Sequence, residues 1–250
     1  MTNKFVAFDA EYAWRNDWYQ AHRTSDKTSE RRAMAVKEVV ALTAYSFSFD
    51  ELGVLTIEDH ASWTQAEWGS EGSMLEQFCH FLRLRDRHCL VGYGSLGVDL
   101  PLLNLAAMTA GVRLPYQLLD HGGRWDKRHT DLGLLLKGRG KSWIHLSQLA
   151  IRLGLPIELV SSKADVPVPS SPVEWDRLRE HVEADALLVA LVWSAWLCTQ
   201  GVPGIRYATV AIAHIAAFRR RRPDHRLEAI LARYQGLLER EVADRLAIAA

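Results

Sequence analysis

Cysteine is scarce in this chain. Cys79, Cys89 and Cys198 are its three cysteines; they stand far apart and form no C-x-x-C pair. So sparse and odd a set argues against a disulfide frame or a cysteine zinc site and points to a reducing compartment. Net charge is missing too: 30 Lys and Arg balance 30 Asp and Glu. No global field draws the chain to nucleic acid or to an anionic membrane, so any such contact must come from a local patch. Long apolar runs are absent. The longest, "ALLVALVWSAWL" from Ala186, falls short of the roughly 20 residues a membrane span needs. The N-terminal "MTNKFVAFDA" lacks a secretory signal pattern. No internal repeat or low-complexity tract occurs. The expectation is a soluble cytoplasmic protein that does not engage a membrane.

What is present is an ordinary globular composition over 250 residues, 48% hydrophobic and 24% charged. That length buries a sizeable core as one or two domains. An apolar strand is expected from about Lys4 to Asp9. The polar stretch "RNDWYQAHRTSDKTSERRAMA" reads as loop or irregular helix. "KEVVALTAYSFSFDELGVLTIEDH" reads as a hairpin turning at Asp50–Gly53. Met74, Leu75, Phe78, Phe81 and Leu82 fall at helical spacing. "HCLVGYG" is a short buried strand, and "VDLPLLNLAAMTAGV" a helix ending near Gly111.

Beyond Pro115 the pattern turns helical. Thr130 and Asp131 are good caps for "TDLGLLLK". "HLSQLAIRLGLP" is a second short helix, and "ELVSSKADVPVPSSPVE" a Pro/Ser-rich loop. "EWDRLREHVEADALLVALVWSAWL" is a long helix, followed by two more around "RRRRPDHR". Strand, hairpin, helix, strand and helix in that order imply a mixed α/β sheet.

Four carboxylates carry the functional signal. Asp9 and Glu11 sit at i and i+2 on the first strand, so they leave it on one face. Asp99 opens a helix after a Gly-rich turn, where capping and the helix dipole also favour it. Asp185 shares a helix face with His181, Leu188, Val189, Val192 and Trp196. Glu183 falls on the opposite side and reads as a solvated surface acid. A carboxylate above an apolar stripe is costly unless paired or metal-bound. Converging oxygen ligands suit Mg²⁺ or Mn²⁺. Two such ions about 3.5–4 Å apart activate a water and stabilise a leaving oxygen in phosphoryl displacement.

The order of these motifs resembles the DEDD superfamily of 3′–5′ exonucleases. "FDAEYAW" looks like the first motif, with Asp9 and Glu11. "GYGSLGVDLPLL" looks like the second, with Asp99, and "HVEAD" like the third, with His181 and Asp185. "RHTDLGLLL" and "LSQLAIRLGLP" are similar to predicted exonucleases related to the proofreading domain of family B DNA polymerases. The resemblance spans about residues 4 to 200. It implies a ribonuclease H-like sheet, antiparallel over its first three strands and then parallel, flanked by helices. An exonuclease domain is expected over 1–203 and a helical C-terminal extension over 204–250. Two Mg²⁺ or Mn²⁺ ions would be held by Asp9, Glu11, Asp99 and Asp185, with His181 handling the attacking water. Single-stranded DNA or RNA 3′ ends, DNA favoured, would release nucleoside 5′-monophosphates. Tyr12, Trp14, Trp18, Tyr93, Leu96 and Arg128 are the candidate substrate contacts, and the oligomeric state is left open.

Two departures from the superfamily stand out. One branch carries Tyr-x-x-x-Asp in the third motif; another carries His with four residues before the Asp. Here His181 has the three-residue spacing of the tyrosine branch, and residue 186 is Ala. In the second motif, Gly94 stands where relatives often carry a polar residue, and Val98 where they carry an aromatic. Other readings are a catalytically weakened nucleic-acid-binding or interaction module and a structure-specific endonuclease on the same fold.

Among the remaining candidates, capping suffices for Asp131. "GRGKS" lacks the upstream Gly of a phosphate loop, since residue 135 is Leu. Lys137, Arg139 and Lys141 then read as loop charges. Arg219–Arg222 is the densest positive patch. It offers either a helix C-terminal charge cluster or nucleic-acid backbone contact. Trp14, Trp18 and Tyr19 have the chemistry to stack on bases. Trp193 and Trp196 read as core.

Overall fold

A computed structural model describes residues 3–25, 34–119, 128–138, 140–159 and 168–249. Arg139, residues 26–33 of the polar stretch and residues 160–167 of the Pro/Ser-rich loop lie outside the described residues.

The elements run β1 (Lys4–Trp14), α1 (Asn16–Ser25), β2 (Lys37–Phe49), β3 (Leu55–Thr64), α2 (Gln65–Trp68), α3 (Glu71–Arg83), β4 (Cys89–Gly92) and α4 (Asp99–Ala110). They continue with β5 (His129–Asp131), α5 (Leu132–Lys137), α6 (Leu146–Arg152), α7 (Pro172–Thr199), α8 (Tyr207–Arg221) and α9 (Glu228–Ala249). The strands form one sheet in the order β3-β2-β1-β4-β5. β1 is antiparallel to β2, and β2 to β3. β4 runs parallel to β1, and β5 parallel to β4. This is the ribonuclease H-like arrangement.

Local chemistry sets the helix ends. α3 is capped by Ser70, whose side chain accepts from Ser73 N. α4 stops at Gly111, which takes the left-handed φ of 69°. α7 opens with a capping box of Ser171 and Glu174, and Pro172 stands in its first turn.

β1 is central and covered on both faces, so it reads as a continuous apolar run. Val6, Phe8 and Ala10 pack with Met74, Leu75, Phe78, Leu102 and Leu103 from α3 and α4. Phe5 and Ala7 face the other way, into a core shared with Leu187, Leu188 and Leu191 of α7. The Phe5 and Trp193 rings meet edge-on at 5.4 Å. α8 and α9 join that same core through Ile215, Phe218, Leu231 and Tyr234. His214 of α8 is fully buried, with Nδ1 3.2 Å from Tyr45 Oη and Nε2 3.1 Å from Ser194 Oγ. The expected boundary after residue 203 falls in the α7–α8 link, and α8 and α9 complete the sheet's helical layer. By length and composition α7 is apolar enough to cross a membrane, but 78% of its most apolar window is buried in the fold.

β1 extends five residues past the expected Asp9, and a β-bulge falls between Glu11 and Tyr12. The β4 pairing covers only Phe5, Ala7 and the residue between them. β1 therefore runs on beyond β4, and the chain leaves β4 at the C-terminal ends of the parallel strands. Ligands favour that end of such sheets.

Candidate active site

Alternation along β1 puts Asp9 and Glu11 on the α7 side, in line with Phe5 and Ala7. Both are buried, at 9% and 8% exposure. α7 crosses that face and presents His181 and Asp185 one turn apart. His181 Nε2 stands 3.0 Å from Glu11 Oε1 and 3.8 Å from Asp185 Oδ2. The donor atoms of Glu11, His181 and Asp185 all lie within 4.8 Å of one another. Glu11 Oε1 is fully buried and accepts no well-aligned hydrogen bond, although His181 is close. Two carboxylates that near repel by about 3 kcal/mol at an effective dielectric of about 20. A cation placed among them relieves this, and a carboxylate–imidazole donor set suits a divalent metal. Asp9 and Asp99 lie outside this trio. Asp9 is next along the same strand face. Asp99 is buried at the first turn of α4, at the same end of the sheet.

The loop leading to Asp99 has its own anchor. Asp131 Oδ1 accepts from Gly94 N at 2.9 Å and from Leu134 N at 3.1 Å; Oδ2 accepts from Leu96 N at 3.0 Å. It caps α5, as expected, and also fixes the loop at residues 94–96. His129 Nε2 holds Ser95 Oγ at 2.9 Å. Burial pushes the His129 pKa down to about 4, so the ring is neutral. Residues 129–131 form a short strand ahead of α5, which the sequence pattern did not suggest. Three residues are too few for a period to show.

One charge expectation is corrected. Glu183 is 1% exposed rather than solvated. Its Oε1 accepts from Ser62 Oγ at 2.6 Å, and Arg222 Nη1 contacts both of its oxygens. Burial pushes its pKa up, opposed by Ser62 and Arg222. The side of α7 away from Asp185 meets β3 and the chain after α8, not solvent. The Arg219–Arg222 cluster lies at the C-terminal end of α8, as one of its two readings expected, and three of its four arginines form ion pairs within the chain. Arg219 pairs with Glu228 at 2.6 Å, Arg221 with Asp59 and Arg222 with Glu183.

The candidate substrate contacts divide into groups. Lys37 Nζ lies 4.0 Å from the Tyr12 ring centroid and 5.1 Å from that of Trp14. The Arg15 guanidinium lies 4.9 Å from the Trp18 ring. These half-buried rings continue from the Glu11 end of β1. Leu96 is 41% exposed on the loop before Asp99. Tyr93 is tied down, donating its hydroxyl to Ile144 O, and burial pushes its pKa up to about 12. Arg128 donates to Asp86 O at 2.7 Å and covers the Tyr116 ring, at the end of β5 opposite Asp131.

Comparison with known proteins agrees with this architecture. The chain superposes on the family B DNA polymerase of the hyperthermophilic archaeon Pyrobaculum calidifontis with a TM-score of 0.53 at 16% identity. That match covers 87% of this chain and 29% of the polymerase. E. coli exonuclease I in complex with a dT13 oligonucleotide gives a TM-score of 0.39 at 12% identity, covering 75% of this chain and 39% of that one. The chain thus spans well under half the length of these proteins. No curated protein matches it significantly in sequence. Residues 31–209 match the family model described as a predicted 3′–5′ exonuclease related to the exonuclease domain of PolB, and the chain belongs to that family.

Proposed function

We propose that this protein is a divalent-metal-dependent 3′–5′ exonuclease that removes nucleoside 5′-monophosphates from single-stranded 3′ ends. The observation that carries the reading is the convergence of Glu11 from β1 with His181 and Asp185 from α7 within 4.8 Å. Glu11 and Asp185, with Asp9 from the same strand face and Asp99 from the first turn of α4, would hold Mg²⁺ or Mn²⁺, in a site for two ions. When bound, such ions activate water and neutralise charge at the scissile phosphate. His181 Nε2 is placed to orient the attacking water or take its proton. A proton received there faces oxygens of Glu11 and Asp185 at 3.0 and 3.8 Å. Tyr12, Trp14 and Trp18, with Lys37 and Arg15, offer stacking faces and positive charge for a single strand. DNA is favoured over RNA by the relation to a polymerase-associated exonuclease family.

The experiment is digestion of 3′-labelled and 5′-labelled DNA and RNA strands with Mn²⁺, Mg²⁺ or chelator. Metal-dependent release of 3′-labelled mononucleotide, with a 5′-labelled ladder shortening from its 3′ end, is expected. Internal cleavage products would make it an endonuclease. One observation favours a second reading: His181 itself lies against Glu11 at 3.0 Å, where a cation would sit. A fold whose site is closed in this way would bind nucleic acid without cutting it. Strand binding with no product in either metal would establish that alternative.

A further inference from the structure

The link between α8 and α9 closes on the turn of α7 that carries His181. From this link, Arg222 reaches the buried Glu183 carboxylate. Leu227 N donates to His225 Nδ1 at 3.1 Å, so the imidazole proton is on Nε2, which donates to the Glu180 carbonyl at 3.0 Å. Arg226 N donates to Glu180 Oε1, also at 3.0 Å. His225 is 3% exposed, and its ring packs against Phe218 at 5.1 Å. From the opposite side, Ser62 holds Glu183, and Arg179 bonds Glu67 Oε2 at 2.9 Å. Val182 packs in one buried cluster with Ala13, Val40 and Ala41. Residues 179, 180, 182 and 183 are thus each fixed, and His181 is left facing Glu11.

We propose that Arg222 and His225 are positioning residues for His181: the α8–α9 link sets the rotation and depth of the α7 turn from which the imidazole meets Glu11. The link lies beyond the residues 31–209 that match the family, so the extension contributes to the site without touching it. A misplacement of about 1 Å at a reacting group costs up to about a hundredfold in rate. The ties from the link to Glu180 and Glu183, on either side of His181, are placed to prevent one.

The kinetic part of the test rests on the exonuclease reading; the spectroscopic part does not. The full chain is labelled with ¹⁵N-histidine, and His181 is assigned from the peak lost in H181A. Arg222→Met and His225→Ala are made singly. R222M/E183Q accompanies them because an isolated Glu183 carboxylate can unfold the chain. Expected are a shifted or broadened His181 signal without metal, turnover lowered about tenfold or more, and KM within about twofold of the parent. Arg222→Lys should recover most of the turnover. If the double variant and H225A fold but leave both the His181 signal and turnover unchanged, the link only stabilises the fold and the proposal fails. If the His181 signal moves but the parent releases no nucleotide, the positioning role stands and the exonuclease reading fails.

Discussion

His181 on α7 and Glu11 on β1 meet at 3.0 Å, a contact made across 170 residues of sequence by the crossing of a helix over the central strand. Asp185 completes the group from one turn further along. If His181 handles the attacking water, His181→Ala should lower turnover at least about tenfold, since positioned acid–base help typically contributes about 10²–10⁴-fold. Glu11 and Asp185 remain in place, so stabilisation by Mn²⁺ should persist. Parallel nuclease assays and thermal melts check both halves. Near-parental turnover would rule out the assigned role.

Asp185→Asn should separate metal binding from folding. Removing one charge relieves the repulsion with Glu11, so the metal-free variant should melt no lower than the parent. Its rise in melting temperature with Mn²⁺ should be lost. For the parent, a free concentration one hundred times Kd stabilises by about 2.7 kcal/mol. A retained rise would move the metal away from this trio.

Much of the site was legible because short-range periods carry it. Two-residue alternation put Asp9 and Glu11 on one face, and four-residue helical spacing put His181 over Asp185. The sequence hid what depends on a second layer. Glu183 reads as outward when only one packed face is assumed, but chain at residue 222 covers it. Arg221 finds Asp59 across 162 positions, a distance that no local pattern reports. Asp131 looked like a cap and is one. Its hold on Gly94 and Leu96 depends on β5 lying beside β4, a pairing of three residues on each strand. The β1 bulge is equally silent in sequence, and the strand's reach to Trp14 went with it.

Glycine placement offers a test of the fold itself. Gly53 in the β2–β3 turn and Gly204 before α8 have φ of 77° and 78°. Their backbones abut: a Cβ on Gly53 would lie 2.5 Å from the Gly204 carbonyl carbon, and one on Gly204 would overlap the Leu52 carbonyl. Gly201 has a φ of 71° but open space around it. Gly201→Ala should therefore cost only the left-handed penalty, about 1–2 kcal/mol. Gly204→Ala should cost about 1–3 kcal/mol more, the price of overpacking against backbone. Denaturant melts compare the two, and equal losses would mean that the hairpin and the α7–α8 link do not touch.

Glu71 gives a pH dependence with a definite sign. It opens α3 half-buried, and its Oε1 accepts from Val39 N at 2.7 Å. Burial, aided by the nearby Glu38 charge and opposed by the Val39 bond, raises its pKa from 4.5 to about 7. Between those values the folded chain binds this proton more tightly than the unfolded chain does. Its contribution to stability is complete below pH 4.5 and is lost as pH rises towards about 7. Glu71→Gln keeps an acceptor for Val39 and removes the titration. Relative to the parent, the variant should gain stability between pH 5 and pH 8 (values bracketing roughly that window). Comparing the difference between the two proteins cancels the other titrating groups. A difference that does not change with pH would place Glu71 in water rather than against β2.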